Sequence, residues 1–190
     1  MNRKTSALVT PITSLAPGHD DSLNVVIETP KGSRNKFKFD QTTGMFKLSK
    51  VLPEGMMFPY DFGFIPSTQA EDGDPLDVLV LMDEPAFPGC LVECRLVGVI
   101  EALQEEKGEE HRNDRLIAVA SQSIRYSDVH DLGDLNNTVL KQVEEFFTNY
   151  QRVRGIRFKI LARKGRRRAA RVLEEHAARK NSRVARARTA

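Results

Sequence analysis

The sequence predicts an α+β fold with a strongly bent sheet or barrel at its centre and helices packed after it. Three observations carry that prediction. Short apolar or alternating runs, punctuated by Gly and Pro, recur between residues 23 and 120. A helical apolar face comes late, at Leu135, Val139, Leu140, Val143, Phe146, Phe147 and Tyr150. No internal repeat interrupts this order, and strands first with helices later is the α+β pattern.

In chain order, Leu23 to Thr29 reads as a strand ended by Pro30-Lys31-Gly32-Ser33. Lys36 to Phe39 and Met45 to Leu48 alternate around a turn containing Gly44, so they predict a hairpin. Residues 53 to 66 are rich in Phe, Pro and Gly and read as irregular. Asp77 to Met82, Leu91 to Leu103 and Asp114 to Ala120 are strands, the second long and bent. The helix over 135–150 follows, then a short strand at Arg157 to Leu161 and a helix from Ala169 to about Lys180, favoured by its Ala, Arg and Glu content. The expected organisation is a short disordered lead-in at 1–20, a body at 21–162 and a basic tail at 163–190, helical and then frayed. A chain ending at Leu161 is expected to keep its activity if the barrel remains intact.

Composition narrows the function classes. A chain of 190 residues suits one domain with a substantial core, and 40% hydrophobic with 29% charged residues argues against disorder throughout. No apolar run approaches the ~20 residues a membrane helix needs. The first apolar run, Ala7-Leu8-Val9, stops at Thr10-Pro11, too short for a secretory signal. Cys90 and Cys94 fall on one face of a strand, too far apart for an unstrained bridge, and two cysteines make a poor zinc site. Reduced thiols and a cytoplasmic location are the expectation. His19, His111, His130 and His176 follow no metal spacing. Charge divides unevenly: residues 163–190 hold eleven bases and two acids, so the body is acidic and the tail strongly basic.

The chemistry concentrates at Asp72-Gly73-Asp74-Pro75-Leu76-Asp77, which runs into Val78-Leu79-Val80-Leu81. Gly73 allows a sharp turn and Pro75 fixes φ, so three carboxylates crowd on a stiff loop. Such a loop is either a solvated acidic turn or a site for a hard divalent cation, Mg²⁺ or Mn²⁺.

Together with flanking segments, this loop resembles the soluble family I inorganic pyrophosphatases, whose acid loop reads D-x-D-P-hydrophobic-D. The resemblance runs from about Leu23 to Tyr150 through Val25-Val26-Ile27-Glu28, Phe58-Pro59-Tyr60-Asp61-Phe62-Gly63-Phe64-Ile65-Pro66, Pro88-Gly89, Val97-Gly98-Val99-Ile100 and Phe146-Phe147-x-x-Tyr150. It implies a small five-stranded, OB-like β-barrel with flanking hairpin and C-terminal helices. It also implies Mg²⁺-dependent hydrolysis of pyrophosphate to two phosphates, with Mn²⁺ as a substitute, and a homo-oligomer with a hexamer favoured.

Residue by residue, the resemblance retains Asp72, Asp74, Asp77, Glu28, Lys36 and Tyr150. Lys50 stands where the family has Arg, and Arg115 where it has Lys. Phe58 and Phe62 replace tyrosines, Lys38 replaces an acid, and Gln151 replaces the Lys after the helix-end Tyr. The family's second acidic stretch falls near Glu105–Glu106 and at Asn113, with Asp114 next door, so Glu105, Asn113 and Asp114 are candidate metal ligands.

On this reading Asp72 and Asp77 hold metal, and Asp74 is both a ligand and the general base for water. Lys36, Lys38, Lys50, Phe62, Arg115 and Tyr150 form the substrate side, the cations neutralising phosphate oxygens. Lys38 shares a strand face with Lys36. Glu28 anchors a lysine from behind. Tyr150 equally continues the apolar helix face, and Lys36 equally suits a solvated strand. Two rival functions stand beside hydrolysis: a catalytically impaired relative that binds phosphate-rich ligands, and nucleic-acid contact through the basic tail by charge alone. Three crowded acids favour catalysis, since a pure anion binder gains nothing from negative charge beside its ligand. No membrane partner is expected.

Overall fold

The computed structural model describes residues 12–18, 22–71 and 73–188, with side chains described as far as residue 177. Asp72 and most of the lead-in therefore lie outside the described residues. The strands are β1 (Leu23–Thr29), β2 (Asn35–Asp40), β3 (Met45–Val51), β4 (Asp61–Phe64), β5 (Asp77–Leu81), β6 (Leu91–Glu106), β7 (Glu109–Arg112), β8 (Arg115–Ala120) and β9 (Arg157–Gly165). Two helices follow the barrel strands, α1 (Asn137–Arg152) before β9 and α2 (Arg166–Arg188) after it.

Five strands close on themselves. β1 pairs antiparallel with β4 and β6, β4 with β5, β5 runs parallel to β8, and β8 pairs antiparallel with β6. That ring is the small barrel the resemblance implies. β6 is long enough to leave it, and its far half pairs with β9 and β7. β2 and β3 form a separate hairpin against the barrel, tied down by Thr29 Oγ1, which donates to Phe37 O and accepts from Phe37 N.

Alternation along the strands divides the core. Leu79 and Leu81 of β5 join Phe58, Phe62, Val97 and Ile100 against Phe147 and Val143 of α1. Val78 and Val80 join Val25, Ile27, Leu116 and Ala118 against Ala169 and Val172 of α2. Both faces of β5 and β8 are thus covered, and β8 is buried throughout.

Four departures from the sequence reading have physical causes. β4 lies in the stretch read as irregular; its Gly63 sits so close to β1 that a Cβ would fall 2.1 Å from Val26 O. β7 lies in the acidic run after β6, turned back by Lys107 and Gly108, both at positive φ as a two-residue hairpin requires. Residues 12–18 are held to the body, because Thr13 O and Leu15 O accept hydrogen bonds from Ser67 and Pro17 O accepts from Asn24 N. The body also continues past residue 162: β9 runs to Gly165, and Ala169 and Val172 are almost wholly buried.

Candidate active site

The acid loop is shaped by its backbone. Gly73 adopts φ +90°, Ala70 N donates to Asp74 O at 2.7 Å, and Leu76 N donates to Thr68 Oγ1 at 2.9 Å. These bonds carry the chain from the turn into β5 at Asp77. Each described carboxylate of the loop faces a cation: Asp74 Oδ2 lies 2.5 Å from Lys38 Nζ, and Asp77 Oδ2 lies 2.5 Å from Arg115 Nη1.

The hairpin supplies the opposite wall. Lys36 pairs directly with Lys50 across β2 and β3, and both reach the cleft together with Lys38. Like charges facing one another on a hairpin are destabilising, so the pairing makes sense where an anion lies between them. Beneath them, Phe62 is buried rather than open to the cleft, and Lys36 Nζ lies 4.9 Å from its ring centroid. Glu28 is buried behind the hairpin and accepts from Phe39 N at 2.7 Å. Burial, aided by the Asp77 charge, outweighs that bond and raises its carboxyl to about 7. Burial likewise lowers the Lys36 ammonium, opposed by Asp77 and aided by Arg115. Lys38 goes the other way, because Asp74 outweighs the cost of burying its charge.

The third wall is one connected row of side chains. Arg115 Nη1 donates to Asn113 Oδ1, and Asn113 Nδ2 donates to Gln104 Oε1 at 2.5 Å. Gln151 Nε2 donates to the same Gln104 oxygen at 2.9 Å, and Gln151 Oε1 accepts from Arg154 Nη1 at 2.5 Å. An arginine at each end thus fixes which way the amides point. The resemblance points to acids in the second stretch and so passes over Gln104, while Arg154 reads as one more base after the helical run. Strand parity held the signal for Gln104, since Ile100 and Ala102 face the core and residue 104 continues their side of β6.

Two candidate ligands stand apart from the cleft. Glu105 lies on the opposite face of β6 from Gln104 and pairs with Arg157 at 3.2 Å. Asp114 accepts from Ala102 N at 3.0 Å and from Arg112 Nη2 at 2.9 Å, which commits it to holding the β6–β8 junction. Tyr150 is buried against Phe58 and Phe146, with its hydroxyl unpartnered among the described residues. Arg115 is also buried, stacked 5.2 Å from the Phe147 centroid.

The walls enclose a cleft of about 270 Å³. Its described lining has five cations, Lys36, Lys38, Lys50, Arg115 and Arg154, against the carboxylates of Glu28, Asp74, Asp77 and Glu106, so charge is near balance before any metal enters. Among the described residues no group of three or more His, Cys, Asp or Glu is assembled around a metal position. The oxygens of Asp74 and Asp77 are the donors a hard divalent ion takes, and the acid loop fits one. The amide wall does not: Gln104 Oε1 has two lone pairs and accepts two N–H groups.

A closed five-stranded barrel with carboxylates on a rigid loop facing clustered cations defines a barrel protein whose cleft suits an anion beside a divalent cation. Comparison with known proteins makes the class specific. The family model for inorganic pyrophosphatase matches residues 25–181. The inorganic pyrophosphatase of Halalkalibacterium halodurans is 38% identical over 153 residues, covering 80% of this chain and 91% of the relative. That of Synechocystis sp. is 42% identical over 129 residues, covering 68% and 74%. The crystal structure of the inorganic pyrophosphatase from Thermus thermophilus superposes with a TM-score of 0.84 at 35% identity, covering 90% of this chain and 99% of that one. The chain belongs to the inorganic pyrophosphatase family.

Proposed function

We propose that the protein hydrolyses inorganic pyrophosphate to two phosphates with a divalent ion, Mg²⁺ first and Mn²⁺ as substitute. The observation that carries this reading is Asp74 and Asp77 on one rigid loop facing Lys36 and Lys50 across a cleft, in a chain of this family. The acid loop, Asp72 included, would hold a divalent ion, which would supply Lewis acidity to lower the pKa of water and draw charge off phosphorus. Asp74 is the base that takes the proton from the attacking water, once Lys38 releases it. Lys36 and Lys50 hold the phosphate oxygens, and their forced proximity makes an anion between them favourable. Arg115, fixed by Asp77 and by the rings beneath it, stabilises the charge that builds on the departing phosphate. Phe62 and Tyr150 act from beneath, shaping the floor under Lys36.

A homo-oligomer, with a hexamer favoured, is part of the same reading. Phe87, Leu91 and Met57 are large apolar side chains at least half exposed, and they support a contact between copies. Two free cysteines support a reducing, cytoplasmic setting. Among the described residues no helix is long and apolar enough to cross a membrane. The nucleic-acid alternative is weakened by pairing inside the chain, since Arg163 binds Glu144 and Arg168 binds Glu101 and Glu175.

The experiment is phosphate release from pyrophosphate by the purified chain in Mg²⁺. Hydrolysis is expected, with Asp74→Asn reducing turnover by about 10²-fold or more, as loss of a general base does. A folded protein inert in both Mg²⁺ and Mn²⁺ would overturn the reading.

A further inference from the structure

We propose that Arg154 and Lys50 form a subsite for one phosphate of pyrophosphate that fills without a divalent ion, and that the Gln104–Asn113–Gln151 amides hold Arg154 there. The inference rests on the cleft being the pyrophosphate site and adds to it a binding residue and a metal-independent step.

Every amide oxygen in the row is already bonded. Asn113 Oδ1 accepts from Arg115, Gln104 Oε1 accepts twice, and Gln151 Oε1 accepts from Arg154. Gln104 Nε2 in turn approaches Glu106 Oε2 at 3.4 Å. To hold a cation, this wall would have to break bonds to two guanidinium groups. A wall of neutral amides with an arginine at each end suits an anion instead.

Arg154 is placed by the end of α1. Gly155 takes φ +72°, Ile156 N donates to Gln151 O at 3.1 Å, and Gly155 N donates to Arg152 O at 3.0 Å. That is the Schellman closure of a helix capped at Val153, and it sets residue 154 just before the left-handed Gly155, beside the lip of the cleft. The guanidinium lies 5.4 Å from the Tyr150 ring centroid, and Gln151 holds one of its amino groups. Its other N–H groups have no protein partner among the described residues and suit a ligand, since a guanidinium carries five. Lys50 shares the cleft with it. Burial lowers the Lys50 ammonium and the Arg154 charge lowers it further, which an intervening phosphate would reverse.

The test is calorimetric titration of the full chain with inorganic pyrophosphate in EDTA, where no metal is available. Wild type is expected to bind. Arg154→Ala is expected to weaken binding by about tenfold or more, the worth of a charge-assisted hydrogen bond, and Arg154→Lys to recover part of it. Arg157→Ala is the control: it removes the same charge from an exposed position paired with Glu105 outside the cleft, and binding should stay within about twofold of wild type. Gln104→Glu puts a carboxylate into the row. It is expected to weaken metal-free binding. Absence of pyrophosphate binding in EDTA, equal binding by Arg154→Ala and wild type, or an equal loss in Arg157→Ala would each overturn the subsite. Turnover in Mg²⁺, measured on the same preparation, separates the two readings. Turnover without metal-free binding sinks the subsite alone, and metal-free binding without turnover supports it while sinking the hydrolase.

Discussion

Lys38 Nζ lies 2.5 Å from Asp74 Oδ2, so an ammonium from the hairpin occupies the carboxylate proposed as the base for water. Strand spacing puts Lys38 on the same side as Lys36, and the turn at Gly73 brings Asp74 out to meet it. A divalent ion held by the acid loop would therefore compete with a cation tethered to the fold for one oxygen.

Removing that competitor should favour metal. Both partners are about half exposed, where such a pair contributes about 0.2–1 kcal/mol. Lys38→Gln should accordingly tighten Mg²⁺ binding by up to about fivefold, read by calorimetry without substrate. Unchanged or weaker Mg²⁺ binding would show that Lys38 does not hold Asp74 against metal.

Arg115 should matter to stability as well as to substrate. It is buried, paired with Asp77, and lies over Phe62, Phe147 and Phe158. Arg115→Met keeps much of the volume but leaves Asp77 without its cation. The expected loss is about 3 kcal/mol, the low end for breaking a buried pair because Asp77 retains some solvent. Urea unfolding measures it, and a loss under about 1 kcal/mol would mean that water replaces the guanidinium.

Glu28 gives the metal-free protein a pH dependence. Folding raises its carboxyl from 4.5 to about 7 through burial. Below 4.5 both folded and unfolded chains carry the proton and nothing is lost. Between those limits the folded chain keeps a proton that the unfolded chain releases, so stability falls as pH rises, and the loss is complete above about 7. The full effect is roughly 3 kcal/mol. Glu28→Gln keeps an oxygen for Phe39 N and should remove this slope, which urea unfolding in EDTA at pH 5 and pH 8 would register. A slope as steep in the variant as in wild type would assign the effect elsewhere.

What the sequence made legible follows from what is local. The β2–β3 hairpin needs only two alternating runs and a Gly turn, and Lys36 and Lys38 came out on one face as expected. The α1 face and Tyr150 were legible for the same reason. β4 was not, because all four of its residues are buried and Gly63 is chosen by a close approach to β1 from far along the chain. β7 carries no apolar residue at all, so its pairing with β6 leaves no periodic trace. The amide wall was missed because its chemistry lies in what Gln104, Asn113 and Gln151 do to one another, and that contact joins three elements.

The basic tail illustrates the same limit and yields the last prediction. Eleven bases among 28 residues look like a solvated extension, dispensable for activity as long as the barrel stays intact. The structure instead pairs Ala162 to Gly165 with Gly98 to Glu101 of β6 and buries Ala169 and Val172 in the second half of the core. Arg163 grips Glu144 of α1 with both ends of its guanidinium at 2.6 Å, and Arg168 Nε meets Glu101 at 2.9 Å. Charge there fastens α1 to β9 and α2 to β6. Val172→Ala should therefore lower stability by about 2 kcal/mol, whereas Arg171→Ala, one position earlier and exposed, should change it by under about 0.5 kcal/mol. Ending the chain after Leu161 should cost more than Val172→Ala and take hydrolysis with it, because β6 would lose half of its β9 partner. Equal stability of the Val172 and Arg171 variants in urea would mean that α2 rides on the barrel without supporting it.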